Sequence, residues 1–419
     1  LENNDVTVID QSPELIGKIN DSLDVQAFVG HAAHPDSLER AGAADADMLI
    51  AVTQSDEVNM IACQVGHSLF NITTKIARVR QQGYLEAKWA NLFSRDHMPI
   101  DVIISPEREV ASAIARRLRM PGAFDLISLV GDLVKLAGVR LNSDCPVLNT
   151  PLRQLTQLFP DLNVRIVGIV RDATPVAPLG DEQLMPGDEV YFVCDHEHLD
   201  RAMAAFGHEE REARRIVVFG GGNIGQFLTQ QIEAENPSVN IKIIEKDKTR
   251  AEIAARNLKR SVVLLGDVLD SDILEEANVA SAEAVVSVTN DDETNILAAL
   301  LAKRKGSARA ITLVNSEAYA PLTPDLGIDV VVSPRHITVS TILQHVRRGR
   351  IHSVHALRDG FGELIEAEAL ETSPLVGQPL GESDLPDGVL VGAVVHEGEV
   401  IIPRASTVIH TGDRVVLLA

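Results

Sequence analysis

Short aliphatic runs alternate with stretches of helical periodicity through the second half of this chain. RIVVFG (215–220) reads as a buried strand, 223–234 as a helix, and IKIIE (241–245) as the next strand. A helix over 249–258, a strand over 261–266, a helix over 271–276 and a strand over 284–289 follow. A helix over 295–305 and strands over 310–314 and 329–332 complete the series. Strands that are aliphatic throughout, each followed by a helix, predict right-handed βαβ units and one parallel sheet covered on both faces. Downstream the texture changes to short β runs broken by Pro/Gly turns, VLVGAVVHEGEVIIP and TGDRVVLLA, which predict a small α+β domain.

The first half repeats this pattern. GHAAHPDSLERAGAADADMLIAVTQSDEVNM (30–60) aligns without a gap on GDVLDSDILEEANVASAEAVVSVTNDDETNI (266–296), so Thr53, Asp56, Glu57 and Asn59 fall on Thr289, Asp292, Glu293 and Asn295. A repeat of this length is a duplicated domain and not a solenoid unit. VRIVGIVRD and PGDEVYFVC reproduce the later β texture, and Gly187-Asp188 matches Gly412-Asp413. Two helices opened by Ser-Pro, SPEREVASAIARRLRM (105–120) and SPRHITVSTILQHVRRGR (333–350), each close a sheet unit. In the second, Ile337, Thr341, Ile342, His345 and Val346 line one side. Each packs either on its own sheet or on a partner subunit.

The fold class is therefore α/β, with two Rossmann-like doubly wound parallel-sheet domains, each followed by a small α+β domain, in tandem duplication. The expected boundaries are 1–121, 122–206, a charged linker at 207–213 (within GHEEREAR), 214–350 and 351–419.

Composition narrows the function. The 419 residues carry a net charge of -22, which argues against a nucleic-acid or anionic-membrane surface. No apolar stretch approaches the about 18–20 residues that span a bilayer. Aromatics are only 3% of the chain, in keeping with cores of Val, Ile, Leu and Ala. Three widely spaced cysteines, Cys63, Cys145 and Cys194, favour a reduced, cytoplasmic setting over a disulfide framework.

The chemistry concentrates in Gly220-Gly221-Gly222-Asn223-Ile224-Gly225, a G-x-G-x-x-G loop that follows a strand and opens a helix. In such a loop the first glycine makes the tight turn, the second lets backbone approach a pyrophosphate, and the third lets helix and strand pack closely. The helix N-terminus offers free amides to phosphate. Glu245, twenty residues past Gly225 at the end of the next strand, is placed to accept both ribose hydroxyls. Its charge favours NAD(H) over NADP(H), a preference that Lys246, Lys248 and Arg250 soften. A bare glycine turn is the competing reading. Asp267 sits at the crevice edge, where it either reaches adenine or ribose or caps the next helix. Thr289 and Asn290 line the same carboxyl edge. Asp291, Asp292 and Glu293 either cap the following helix or form a cation or catalytic carboxylate site.

In the first copy Asp10, ending VTVID, takes the place of Glu245, and Thr53 and Gln54 take that of Thr289 and Asn290. Arg78, inside the aliphatic IARVR, has no counterpart in ITLVN (311–315) and calls for either a nucleotide phosphate or a carboxylate across the sheet. The sequence opens on the equivalent of the second strand. A sheet starting there leaves strand edges unpaired, so a first strand and glycine loop of about twenty residues are expected to precede Leu1, the alternative being a domain that never had them. The pairs His31/His34, His196/His198 and His352/His355 lack further ligands at metal spacing, and no metal site or catalytic triad is expected.

With GGGNIG, DADMLIAVTQSDEVNM, VTNDDETNI, the Ser-Pro helices and the paired small domains, the whole chain resembles the TrkA family, nucleotide-binding subunits of bacterial Trk potassium-uptake systems built from two RCK modules. The resemblance implies a non-enzymatic cytoplasmic regulator, peripheral on the inner face of the cell membrane, docked under an integral membrane potassium-transporting subunit of the TrkH/TrkG kind. It implies a homo-oligomeric RCK ring whose shape responds to NAD(H), or to ATP or ADP. It also implies nucleotide contacts at Asp10, Thr53, Gln54 and Arg78 in the first module, and at Gly221, Gly222, Asn223, Ile224, Gly225 and Glu245 in the second. The chain departs from the family pattern in lacking the first glycine loop and in ending at VVLLA (415–419), where members continue into a short helix. An NAD-dependent oxidoreductase and a soluble nucleotide sensor without a channel partner are the competing functions.

Overall fold

The computed structural model describes residues 4–419 apart from 160–161, 211, 317, 320–321, 323–325, 347–350, 358–360, 384 and 387. Leu1 and the expected domain end at 350 thus lie outside the described residues. The chain divides into two compact units, Leu1–Glu107 and Arg108–Ala419.

In the first unit the order is β1 (Thr7–Asp10), α1 (Pro13–Ser22), β2 (Gln26–Val29), α2 (Pro35–Arg40), β3 (Met48–Ala51), α3 (Asp56–Phe70), β4 (Thr74–Arg78) and β5 (Val102–Ile104). Local chemistry sets the helix ends. Ser12 caps α1 ahead of Pro13, Ser55 caps α3 by accepting from Val58 N–H, and Asn71 ends α3 in the left-handed region. The strands form two parallel sheets, β1–β2 and β3–β4–β5. Among the described residues no strand joins β1 to β3.

The second unit takes in most of α4 (Pro106–Arg119), then β6 (Ala123–Leu129), β7 (Val134–Arg140), α5 (Leu152–Leu158), β8 (Val164–Arg171), β9 (Thr174–Val176), β10 (Glu189–Asp195) and α6 (Leu199–Ala205). The glycine-loop module follows with β11 (Arg215–Phe219), α7 (Asn223–Glu235), β12 (Asn240–Glu245), α8 (Lys248–Asn257), β13 (Val262–Leu265), α9 (Ser271–Glu276), β14 (Ala284–Ser287), α10 (Asp292–Lys305), β15 (Ala310–Leu313), β16 (Val330–Val332) and α11 (Pro334–Val346). β17 (Ile351–Ala356), β18 (Glu363–Glu368), β19 (Leu390–His396), β20 (Glu399–Ile401) and β21 (Arg414–Leu418) close the chain.

The glycine-loop sheet is parallel in the order β13-β12-β11-β14-β15-β16. β11 is its centre, paired with β12 on one side and β14 on the other. Ile216 and Val218 enter one core while Val217 and Phe219 enter the core on the opposite face, which is why the strand is aliphatic at every position. Helix α10 begins three residues before the sequence expectation of 295, because the Asp291 side chain accepts from Thr294 N–H and nucleates the helix early.

Helix α4 packs on the following module, a contact that neither expectation named. Val110, Ala111, Ile114, Ala115 and Leu118 join the core made by Ile216, Leu228 and Ile232 of the following module. Ser112 donates to Gln231 at 3.2 Å and Arg119 pairs with Glu235 at 3.2 Å. The small domains are antiparallel sheets, β6-β7-β10-β8-β9 and β17-β18-β21-β19-β20, with the same order of strands. They share a core of Leu136, Val167 and Val193 against Leu364, Val395 and Val416. Glu366, 5% exposed, links them by accepting from Val130 N–H and pairing with Arg414. Within the charged linker His208 is buried, its Nε2 meeting the Arg140 carbonyl at 2.9 Å, and Ala213 is buried. All three cysteines are buried and free, and burial pushes the Cys63 and Cys194 thiols up to about 12.

One device is solved differently in the two copies. Asp101 accepts Lys75 N–H at 2.7 Å and also the Lys75 ammonium at 2.7 Å, while that buried Nζ donates to the carbonyls of Ile72 and Thr73. Asp329 accepts Ala310 N–H at the same place, but its cation is Lys303 from α10, at 3.0 Å and partly exposed. Lys75→Met is expected to cost about 3 kcal/mol, because it strands Asp101 and two carbonyls; Lys303→Met is expected to cost at most about 1 kcal/mol. Native-state hydrogen exchange of the β4 and β15 amides measures both, and equal effects would contradict the assignment.

Candidate functional site

The glycine loop is held by contacts that only glycine permits. Gly220 lies in the left-handed region at φ +105°, and its N–H donates to the Ile244 carbonyl at 2.9 Å. A Cβ at Gly225 would sit 2.0 Å from the Gly220 carbonyl oxygen, so first turn of helix and end of strand touch through backbone. Gly221 donates to Glu245 Oε2 at 2.8 Å, and its own Cβ would lie 3.1 Å from that of Glu245. A Cβ at Gly222 would meet nothing within 4 Å. The loop is thus tight against the sheet at Gly220, Gly221 and Gly225 and open at Gly222. Asn223 is exposed, and Ile224 is half-buried against the sheet core.

The helix caps single out this loop. α8, α9 and α10 each begin on an aspartate, Asp247, Asp270 and Asp291, whose side chain accepts a first-turn N–H. α7 begins on Gly222 and has no side-chain cap. Its first-turn amides and positive dipole end are left for an external acceptor. Glu245 is 6% exposed, and its carboxylate accepts from Gly221 N–H and, at 2.9 Å, from Asp247 N–H. Asp267 is exposed and accepts Leu269 N–H at 2.9 Å; it does not cap α9, since Asp270 does.

At the carboxyl edge the structure brings in a residue that the sequence reading did not place in the site. Asn295, fully buried, accepts from Thr289 N–H at 2.8 Å and from Thr289 Oγ1 at 2.7 Å. Its amide donates to the carbonyls of Thr289 at 3.2 Å and Leu313 at 3.1 Å. Asn59 makes the same four bonds to Thr53 and the Arg78 carbonyl. The threonines are therefore held as acceptor-facing elements of a fixed strand end, while Gln54 and Asn290 are exposed beside them. The repeated spacing of threonine and asparagine in TQSDEVN and TNDDETN is the signal that marks this pin. The acidic trio divides its work. Asp291 caps α10, and that hydrogen bonding lowers its pKa; Asp292 accepts the amides of Asn315 and Ser316, as Asp56 accepts those of Arg80 and Gln81.

In the first unit Asp10 Oδ1 accepts Ser12 N–H at 2.7 Å, the counterpart of the bond from Asp247 to Glu245. Arg78 donates through Nη2 to the Thr53 carbonyl at 2.7 Å. Its Nε is buried without a partner, and among the described residues no carboxylate lies within ion-pair distance of it. The neighbouring Arg80 pairs with Glu107 instead, at 2.9 Å. Burial, followed by the charge of Arg80, lowers the Arg78 pKa, with the carboxylates of Glu107 and Asp56 opposing the shift. His31 and His34 stack at 4.3 Å beside the end of β2.

Family models place these elements. The TrkA-N domain matches 1–106 and 216–334, and the TrkA-C domain matches 136–207 and 364–419. The chain belongs to the TrkA family. It is 53% identical over 418 residues to the "Trk system potassium uptake protein TrkA" of Azorhizobium caulinodans, covering 100% of this chain and 91% of that one. To the protein of the same name from Halomonas elongata it is 40% identical over 419 residues, covering 99% and 91%. Among solved structures, the GsuK channel bound to NAD covers 100% of this chain and 73% of its own with a TM-score of 0.62 at 17% identity. The GsuK RCK domain covers 100% and 87% with a TM-score of 0.60 at 18% identity. At these identities the likeness establishes a shared fold. Among the described residues no helix is long and apolar enough to cross a membrane.

Two substitutions test the geometry. Gly225→Ala drives a methyl into the Gly220 carbonyl and should destabilise the module by about 1–3 kcal/mol. Asn295→Asp keeps the acceptor but loses both donors, stranding two carbonyls, and should cost about 2 kcal/mol. Thermal melts with exchange protection at β14 and β15 check both; wild-type protection in the aspartate variant would remove the pin from the account.

Proposed function

We propose that this member of the TrkA family is a nucleotide-binding regulatory subunit of a Trk-type potassium uptake system, with its principal site in the loop 220–225. The uncapped start of α7 beside an open Gly222 carries the reading: it is the one helix start among α7–α10 that leaves its amides to an external anion. NAD(H) fits the arrangement, with pyrophosphate on Gly221, Gly222, Asn223, Ile224 and Gly225 and the ribose hydroxyls at Glu245. Asp267, Thr289 and Asn290 line the remaining crevice. ADP or ATP presents the same phosphates and ribose. In the first module Asp10, Thr53, Gln54 and Arg78 form a second, different nucleotide site, with the Arg78 guanidinium, whose Nε is unpartnered, supplying its charge.

The domains on this reading are 1–121 and 214–350, which bind, and 122–206 and 351–419, which couple, joined by 207–213. The chain acts without catalysing a reaction, at the cytoplasmic face of the membrane, in a ring of copies docked on an integral potassium-transporting subunit. The names of its relatives and the duplication of the whole sensing unit support this, since a two-state assembly is biased by differential affinity alone.

Calorimetric titration of the full chain with NADH, NAD, ADP and ATP tests it. Glu245→Ala should weaken NADH by about tenfold, about 1.4 kcal/mol, while Glu245→Gln, which keeps the support of Gly221, should weaken it less. Arg78→Ala should leave the NADH titration of the second site unchanged. Binding that survives Glu245→Ala unaltered, or sustained hydride transfer to any substrate, would overturn the reading.

A further inference from the structure

The matching turns before the last strand of each small domain hold their aspartates in different ways. Asp188, 1% exposed at its side chain, is clamped by Arg171 through Nε and Nη2, both at 2.8 Å, and accepts Met185 N–H at 2.9 Å. Arg171 ends β8, and the hydrogen bonds to Asp188 raise its already high pKa. Asp413 is the equivalent residue, with the equivalent backbone bond from His410 N–H at 2.8 Å. Its side-chain partner at the end of β19 is not arginine but His396, whose Nδ1 lies 2.6 Å from Asp413 Oδ1. A second imidazole stands where the first copy has Met185: His410 Nδ1 is 3.7 Å from Asp413 Oδ2.

Two imidazoles and a carboxylate thus converge on one point, with their ligand atoms within 4.8 Å of one another. The arrangement has the features of a metal site. Asp413 is buried, so its position is fixed, whereas the side chains of His396 and His410 are 40% and 60% exposed, so an ion can enter from solvent. The His410 amide orients the carboxylate without consuming its second oxygen. Two ligands about 2.1 Å from a tetrahedral ion stand about 3.4 Å apart, so the hydrogen-bonded pair needs to part by under about 1 Å. Glu397 and Glu399 add negative charge next to His396 in the β19–β20 hairpin.

We propose that His396, His410 and Asp413 bind a borderline transition-metal cation, of which zinc is the probe, in the second small domain and not in the first. Imidazole nitrogen with one carboxylate suits zinc, nickel or cobalt, whereas calcium and magnesium call for oxygen ligands. Three protein ligands leave water in the remaining position. In the first copy arginine, which cannot ligate, and a thioether occupy the two imidazole places, so the ion marks the second module alone. The reading by spacing missed the site because its ligands come from the end of one strand and from the turn before another.

The experiment is calorimetric titration of the tag-free, chelator-treated full chain with zinc chloride, alongside magnesium and calcium chloride. His396→Arg is the informative variant, because it rebuilds the first copy's arginine–aspartate clamp and keeps Asp413 satisfied. His410→Ala removes an exposed ring and leaves the backbone bond in place. Both variants should keep the wild-type circular dichroism and lose at least about tenfold in zinc affinity. No zinc binding by the wild-type chain, undiminished binding by both variants, or equal binding of magnesium would overturn the proposal.

Discussion

Each nucleotide-type sheet depends on one buried asparagine. Asn59 and Asn295 each make four hydrogen bonds, two received and two given, from the first turn of a helix to the end of one strand and the carbonyl of the next. No other side chain of that size except glutamine has both functions, and glutamine is a methylene longer. Each group left unpaired in the dry interior would cost about 1–3 kcal/mol. The threonine at the strand end, the helix axis and the adjoining strand are consequently fixed together, and the carboxyl edge on which a ligand would lie inherits that rigidity. The pin is the same in the first unit, where β3–β4–β5 stands as a separate sheet, and in the second, where β11 completes a sheet of six strands.

Around that fixed element the duplication has kept acceptors and exchanged donors. Asp101 and Asp329 both hold an amide near the start of a strand, yet one takes its lysine from the strand itself and the other from α10. Asp188 and Asp413 both hold a turn amide, yet one takes arginine and the other two histidines. An aspartate that organises backbone is costly to move, because an amide depends on it. A long cation reaches the same carboxylate from more than one starting point, so its origin drifts at little cost. Such swaps are the places where the copies can acquire different chemistry without a change of fold.

The strand and helix pattern was legible because buried parallel strands are aliphatic at every position. Ile216 to Phe219 serve two cores at once, and no amphipathic alternation blurs them. The glycine loop was legible for a related reason: the clash of a Cβ at Gly225 with a carbonyl leaves evolution no substitute. What depends on distant partners was not legible. The apolar face of α4 announces burial but not against what, and it packs on α7 and β11, over a hundred residues away in sequence. Asn295 stood out as repeated, but only its position between Thr289 and Leu313 shows what it holds. The third chemical feature, at His396, His410 and Asp413, follows no spacing rule because an antiparallel sheet brings its ligands together.

The two modules are unequal in ways that bear on regulation. Where the second presents Glu245, Asp267 and Leu313, the first presents Asp10, His31 and Arg78 at equivalent positions. A shorter carboxylate, an imidazole stacked on His34 and a guanidinium with a buried, unpartnered Nε stand in their places, the last beside the same asparagine pin. A ligand shifts a conformational equilibrium only by the difference between its affinities for the two states. Two identical sites would respond to every adenine nucleotide in the same sense. Sites that differ in net charge respond most differently to ligands that differ in phosphate charge, so the proposed regulator can be driven in opposite directions by two nucleotides sharing one ribose and one base. On that proposal Arg78 is the side chain on which the discrimination would turn, since its guanidinium is the positive charge that the second module lacks at the equivalent Leu313.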